Sequence, residues 1–401
     1  MAAPLFSYLS LNVRCSLPLI LAVLLSHFEK GWSFFLPVPS VCAPETLGRT
    51  SFGGIQSRSF PNFVLDISRE NFAPGFRPQS SRAHNLLCST SPMEVVVVGS
   101  CNADLVAYTP RLPQQGETIS GTRSEMLHGG KGANQAVMAS RMGARVAMVA
   151  CVGDDPFGAS YLENLARNKV DCRSVRTTPD AATGVAQICV EDSGANFIVI
   201  VPGANYRLTP EDVADAGTRF QGAKVMLCQG EVRRETTIKA LELGRAEGMM
   251  TLFNPAPAMK DLPDRFLEVS DVVCPNETEL ALLCKGDIDP SSDKSVHAGA
   301  RELIARGARN VIVTLGSRGS MYVSSKSQGF KIFPADKVSA VDTVGAGDAF
   351  MGALGAYLSR GVFLEDAIGK AVRVASTSVT RAGAQPSYPT ASELPLDLHL
   401  P

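Results

Sequence analysis

Short apolar runs recur along the chain from Met93 onward: Val95–Val98, Val146–Val149, Val225–Cys228, Thr251–Phe253, Val272–Cys274 and Val311–Leu315. Between them lie segments whose apolar residues return every three or four positions, including Ala133–Met142, Tyr161–Asn168, Thr236–Gly244, Glu277–Leu283 and Ala298–Ala305. Strands without polar alternation need cover on both faces, and the amphipathic helices between them supply it. The pattern therefore predicts an α/β protein with a doubly wound, mostly parallel sheet sandwiched by helices. Ligands of such sheets sit beyond the carboxyl ends of the strands. Two stretches, Leu105–Ser120 and Gly184–Val201, instead alternate apolar and polar residues around turn signals such as Asp192-Ser193-Gly194. They predict a small antiparallel β flap over about 102–128 and 184–203, placed to exclude water from a reacting group.

Residues 1–92 carry no sustained periodicity after Phe35. They are rich in Ser and Pro and poor in acids, with Arg14, Arg49, Arg58, Arg69, Arg77 and Arg82 spread along them. That composition fits an organelle transit peptide followed by a spacer. Leu17–Leu25 competes as the apolar core of a secretory signal. It falls short of the roughly 20 residues a bilayer span needs, and no small-x-small cleavage site follows at Ser26, His27, Phe28 and Glu29. A third reading makes Met93 the true start and the protein cytoplasmic. The expected organisation is a leader over 1–92, one catalytic domain over 93–392 and a tail over 393–401, with no stable membrane association.

Composition narrows the classes. The chain has 401 residues, 45% hydrophobic, which suits a globular fold. Its 38 basic and 39 acidic residues leave no surplus to neutralise a phosphate backbone, so nucleic acid is excluded as the main partner. The ten cysteines form no CxxC pair, and several sit in apolar runs, which reads as buried thiols rather than a disulfide framework or zinc site. The five histidines do not cluster.

Three segments carry chemistry. Asp342-Thr343-Val344-Gly345-Ala346-Gly347-Asp348 runs into a helical pattern ending at Gly361. Small residues at Gly345, Ala346 and Gly347 let backbone N–H groups at a helix start approach an anion. An acid at Asp348 beside such a site suits a base that takes a proton from an attacking hydroxyl; the alternative is an N-cap carboxylate. Gly129-Gly130-Lys131-Gly132-Ala133-Asn134-Gln135 again enters a helix on glycines, without the spacing of a Walker A loop. Its Lys131 and Asn134 are hydroxyl binders, or the segment is a plain helix-start loop. Asn102 and Asp104 follow the first strand and could reach a polyhydroxylated ligand, or merely form an Asx turn. Glu231, Asn254, Asn276, Glu277 and Glu279 follow other strands, so several strand ends aim polar groups at one edge.

Together GSCNAD, GGKGANQ, NPAPA, PNETE, TLGSRG, DTVGAGD and TRAGAQPS, in this order from about Val95 to Pro389, resemble the phosphofructokinase-B type of carbohydrate kinases, and within it the ribokinase group. The resemblance implies ATP-dependent phosphorylation of D-ribose at its 5-hydroxyl, or of another sugar or nucleoside on the same fold; the alternative from another class is a non-catalytic scaffold relative. By it, Asn102, Asp104, Gly130, Lys131, Gly132, Ala133, Asn134 and Glu231 would bind the sugar. Asp348 would be the base, and Gly345, Ala346 and Gly347 would stabilise the transferred group. Asn276, Thr314, Leu315, Gly316, Ser317, Arg318, Gly319, Gly347 and Asp348 would line the ATP site. Glu279 would place Mg²⁺, through water. Asp342, Val344, Ser378, Arg381, Gly383 and Ser387 would hold potassium. Val372 stands where relatives often carry His or Asn near the adenine. The resemblance also implies a homodimer through the flap. The form it resembles is a plant organellar one, which makes the plastid (chloroplast) the expected destination of the leader.

Overall fold

All four valines of β1 (Val95–Val98) are fully buried, the state that an unbroken β-branched run without a polar face requires. Val95 and Val97 pack into one hydrophobic cluster, Val96 and Val98 into another. The sheet thus divides two cores. One lies under the helices Lys131–Arg141, Pro156–Arg167, Ala346–Ser359 and Leu364–Ser378. The other lies under Pro210–Gly217, Arg234–Ala246, Arg265–Val269, Glu277–Leu283 and Asp293–Ala305. The structure, a computed structural model, describes residues 92–401; the expected leader lies outside the described residues.

In chain order the remaining strands are β2 (Asn102–Thr109), β3 (Arg123–Gly129), β4 (Val146–Gly153), β5 (Asp171–Thr178), β6 (Gly184–Glu191), β7 (Asn196–Val201), β8 (Val225–Gln229), β9 (Met250–Asn254), β10 (Val272–Val273), β11 (Asn310–Thr314), β12 (Ser320–Ser324) and β13 (Phe330–Phe333). The main sheet has the order β13-β12-β11-β10-β9-β8-β1-β4-β5. It is parallel from β11 through β5, with β12 and β13 added antiparallel at one edge. From β1 the chain builds outward through β4 and β5, then returns to β8 and builds the other way. The switch point therefore lies between β1 and β8, where a doubly wound sheet opens its ligand crevice.

The second sheet has the order β3-β2-β6-β7. It consists of two antiparallel hairpins, β2–β3 and β6–β7, joined by a parallel pairing of β2 with β6 that starts at Asn102↔Gly184. Both hairpins are antiparallel, as expected of the flap, and the seam between them is parallel. Its cause is connectivity: one hairpin leaves after β1 and the other after β5, both from the carboxyl edge of the main sheet, so their first strands run the same way. The tip of the second hairpin is closed by Glu191 N–H donating to Ala195 O and by Gly194 at φ 88°.

The tail packs against the domain. Leu394 and Leu398 are buried in the core, and the Tyr357 hydroxyl donates to Leu398 O at 2.5 Å. Residues 393–401 thus belong to the body of the domain.

Candidate active site

The end of β1 and the start of the helix Lys131–Arg141 are pressed together by glycine. A Cβ on Gly132 would lie 2.5 Å from the Ser100 N, and Gly130 enters the helix at φ 85°, where side chains are strained. Glu231, beyond β8, stitches this joint by accepting from Ser100 Oγ at 2.5 Å and Lys131 N–H at 2.8 Å. Asn102 and Asp104 stand at the root of β2. Asn102 is buried and accepts from the Asn205 amide at 2.7 Å. The Asp104 carboxylate lies directly over Gly129, where a Cβ would come within 2.0 Å of it.

Helix Ala346–Ser359 begins at Gly345 in the left-handed region, φ 76°. A Cβ there would meet the Tyr388 hydroxyl oxygen at 2.6 Å, and that hydroxyl donates to Gly345 O. Asp348 sits in the first turn but caps nothing. Its Oδ2 accepts from Asn134 Nδ2 and its Oδ1 from Gln135 Nε2, each at 3.0 Å, and it is 6% exposed. The capping alternative is thereby removed.

A cleft of ≈ 720 Å³ runs from Lys131 and Asp348 past Gly345, Ala346 and Gly347. Asn276, Glu279, Thr314, Gly316, Ser317 and Gly319 form one wall. Asn276 and Glu279 lock each other in a capping box, with Asn276 Oδ1 accepting from Glu279 N–H at 2.7 Å and Glu279 Oε2 from Asn276 N–H at 2.8 Å. The far end is apolar, lined by Met351, Val372, Ala375 and Val379.

Four candidates are placed otherwise. Ala133 is fully buried and Gly132 is packed on β1, so neither offers a side chain to the cleft. Leu315 turns into the core. Arg318 swings away from the cleft to ion pairs with Glu277 and Asp293, both at 2.5 Å. The tight turn Gly316–Arg318 sends successive side chains in different directions, which linear spacing did not register.

The candidate potassium residues converge only in part. Asp342 ties two loops together, its Oδ1 accepting from Val344 N–H at 2.9 Å and its Oδ2 from Gly383 N–H at 2.8 Å. Ser378 O accepts from Arg381 N–H, and Ser387 folds its hydroxyl onto Ala384 O. The Arg381 guanidinium points outward to Glu393.

The charges are dense. Burial, then Glu231 and Asp348, push Asp104 up to about 7. Burial raises Glu231, against the pull of Lys131 and its hydrogen bonds, and burial likewise raises Glu279. Burial alone would lower Lys131, but Asp348, Glu231 and Glu279 together hold its ammonium above the ordinary value. Sequence reasoning passed over Asn205 and the loop 335–340, which walls the cleft, and gave no role to Gln385 within TRAGAQPS. None carries a charge pattern or a period that marks it.

Polar groups gather where the root of a β lid meets the start of the helix Lys131–Arg141, and a long cleft with an apolar end is lined by the carboxylate of a glycine-entered helix. This layout defines a phosphotransferase acting on a small polyhydroxylated acceptor. The chain belongs to the pfkB family of carbohydrate kinases, whose model matches residues 93–391. It is 44% identical to the ribokinase of Mus musculus over 76% of this chain and 94% of that one. It is 39% identical to a deoxyribokinase of Salmonella typhi over 74% and 96%. The solved structure of Arabidopsis thaliana ribokinase complexed with ribose and ATP superimposes with a TM-score of 0.70 at 29% identity, covering 77% of this chain and 99% of that one.

Proposed function

We propose that the protein transfers the γ-phosphoryl group of ATP to the 5-hydroxyl of D-ribose, giving D-ribose 5-phosphate and ADP. The observation that carries this reading is the position of Asp348, a buried carboxylate held by two amides and lining the cleft beside Lys131. Asp348 takes the hydroxyl proton as the sugar oxygen bonds to the γ-phosphorus, and the bond to the β-phosphate oxygen breaks with its electrons going to ADP. Asn102, Asp104, Gly130, Lys131, Asn134 and Glu231 hold the sugar. Backbone N–H groups at Gly345, Ala346 and Gly347 meet the charge on the transferred group, and one such donor is worth about 3–4 kcal/mol in a site shielded from water. Asn276, Thr314, Gly316, Ser317 and Gly319 line the ATP side, with the base in the apolar end by Val372.

Among the described residues no three or more His, Cys, Asp or Glu gather into a metal cage. Glu279, one of the acids lining the cleft, fits magnesium arriving with ATP, because this ion keeps several waters and takes other ligands from phosphate. When bound it would neutralise phosphate charge. The Asp342 joint beside Gly345 fits a monovalent cation held by backbone oxygens of the loops around Val344, Ser378 and Gly383. The open edge strand β7 and the transit-like leader support a homodimer through the lid and a plastid location.

Purified protein with ribose and MgATP is expected to form ribose 5-phosphate, faster with potassium. Asp348→Asn should lose about 10²- to 10⁴-fold in kcat, the range of a general base, while still binding ribose in calorimetry. Near-normal turnover by this variant would remove Asp348 from the role. The likeness to a deoxyribokinase favours 2-deoxyribose as a second acceptor, and kcat/KM for the two pentoses side by side decides the order.

A further inference from the structure

We propose that two chains of side-chain amides, all donating in one direction, hold Asp348 and polarise it, with Gln135 and Gln385 as positioning residues. This rests on the reading of Asp348 as the base.

An ionised carboxylate only accepts, so an amide facing it must present its NH₂ group and turn its oxygen away. Gln135 does so toward Oδ1, and its own oxygen accepts from Gln229 Nε2 at 2.8 Å. Asn134 does so toward Oδ2, and its oxygen accepts from Gln385 Nε2 at 3.0 Å. The second chain continues outward. Gln385 Oε1 accepts from Asn164 Nδ2 at 2.8 Å, and Asn164 Oδ1 from Asn168 Nδ2 at 3.3 Å. It ends where Asn168 Oδ1 accepts from Arg141 Nε at 3.0 Å. A guanidinium only donates. With a pure donor at one end and a pure acceptor at the other, every amide between has one permitted orientation.

The shorter chain shows what that direction costs. Gln229 is fully buried, and its Oε1 has no hydrogen-bond partner among the described residues. This orphan acceptor is what remains when the order imposed at Asp348 runs out at the far end. Gln135 is likewise fully buried, and Gln385 and Asn134 are nearly so. Away from water, aligned hydrogen bonds reinforce one another and concentrate partial positive charge at the carboxylate. Arg141 serves twice, since its Nη1 also donates to Gln385 O at 2.6 Å and Tyr388 O at 2.8 Å, fixing the turn that carries Gln385.

Asn164 offers the test. It is half-buried and bonds neither Asp348 nor the sugar-side residues. Asn164→Asp keeps the size but can no longer donate. Gln385 must then turn its NH₂ outward, Asn134 follows, and an oxygen faces Asp348. The expected result is a fall of about tenfold in kcat, the worth of one hydrogen bond, with KM for ATP and the melting temperature near wild type. Asn164→Ala removes the donor without reversing the chain and should stay within about twofold, on the same scale. A packing role predicts the opposite order, because truncation leaves the larger hole. Gln135→Leu, measured in parallel in case Asn164→Asp does not fold, should lose about tenfold or more in kcat at unchanged KM. The proposal is overturned if Asn164→Asp turns over normally, if Asn164→Ala is as slow, or if Gln135→Leu is unaffected. Asp348→Asn assayed alongside separates the two levels. An inactive Asp348→Asn with a normal Asn164→Asp sinks the amide chains alone, whereas an active Asp348→Asn sinks the base itself.

Discussion

Asp104, pushed up to about 7 by burial and by Glu231 and Asp348, should make sugar binding depend on pH near neutrality. An ionised carboxylate accepts from a hydroxyl more strongly than a neutral one, so KM for ribose should fall as pH rises through about 7. Stability moves the other way. Folded Asp104 keeps its proton to higher pH than in the unfolded chain, where it titrates near about 4. Its stabilising contribution therefore declines between those two values and is gone above the upper one. Asp104→Asn removes the titration, so its melting temperature relative to wild type should rise between pH 5 and pH 8. A difference that stays constant over that span would show that Asp104 ionises normally. At this scale the sequence disclosed the charged members of the site, because an acid after a strand or a glycine turn is conspicuous. It gave no role to the glutamines behind them. Gln135 and Gln385 look like ordinary polar residues until the fold brings them to partners more than two hundred positions away in sequence.

Among the elements, the capping box at Asn276 both starts a helix and aims Glu279. Asn276→Ala removes the side-chain acceptor and should destabilise by about 1 kcal/mol, with a raised KM for ATP because the cleft wall loses its anchor. An unchanged KM with a lowered melting temperature would confine Asn276 to capping. The strands with continuous apolar runs were legible because they are buried on both faces. Others were not. Strand β5, Asp-Cys-Arg-Ser-Val-Arg-Thr-Thr, lies at the sheet edge half-buried and has no apolar stripe to read. Helix Leu364–Ser378 starts at Phe363 without a side-chain cap, so no start signal announces it. Several helix starts were read from sequence a few residues late. Lys131 and Pro156 open their helices before the first apolar periodicity begins.

For the molecule as a whole, the lid is where solution behaviour should be decided. Strand β7 (NFIVIV) is an edge strand exposed along its whole length, with Phe197 at 61% and Val201 at 53%. Apolar edges of this kind seek another strand. Wild type should therefore elute and scatter as a dimer, and the double variant Ile198→Lys with Ile200→Lys as a monomer. A wild-type monomer at micromolar concentration would retire the idea. The α/β architecture and the lid's two segments followed from periodicity, but the parallel seam joining those segments did not, since pairing between distant strands leaves no local trace. That seam has a mechanical corollary. Two insertions rooted at different strand ends are welded into one plate, so swinging it displaces the hairpin tips far and the bases of β2 and β6 little. Asn102 and Asp104 lie at that near-stationary margin, and sugar recognition would keep its register while the outer edge sweeps through solvent.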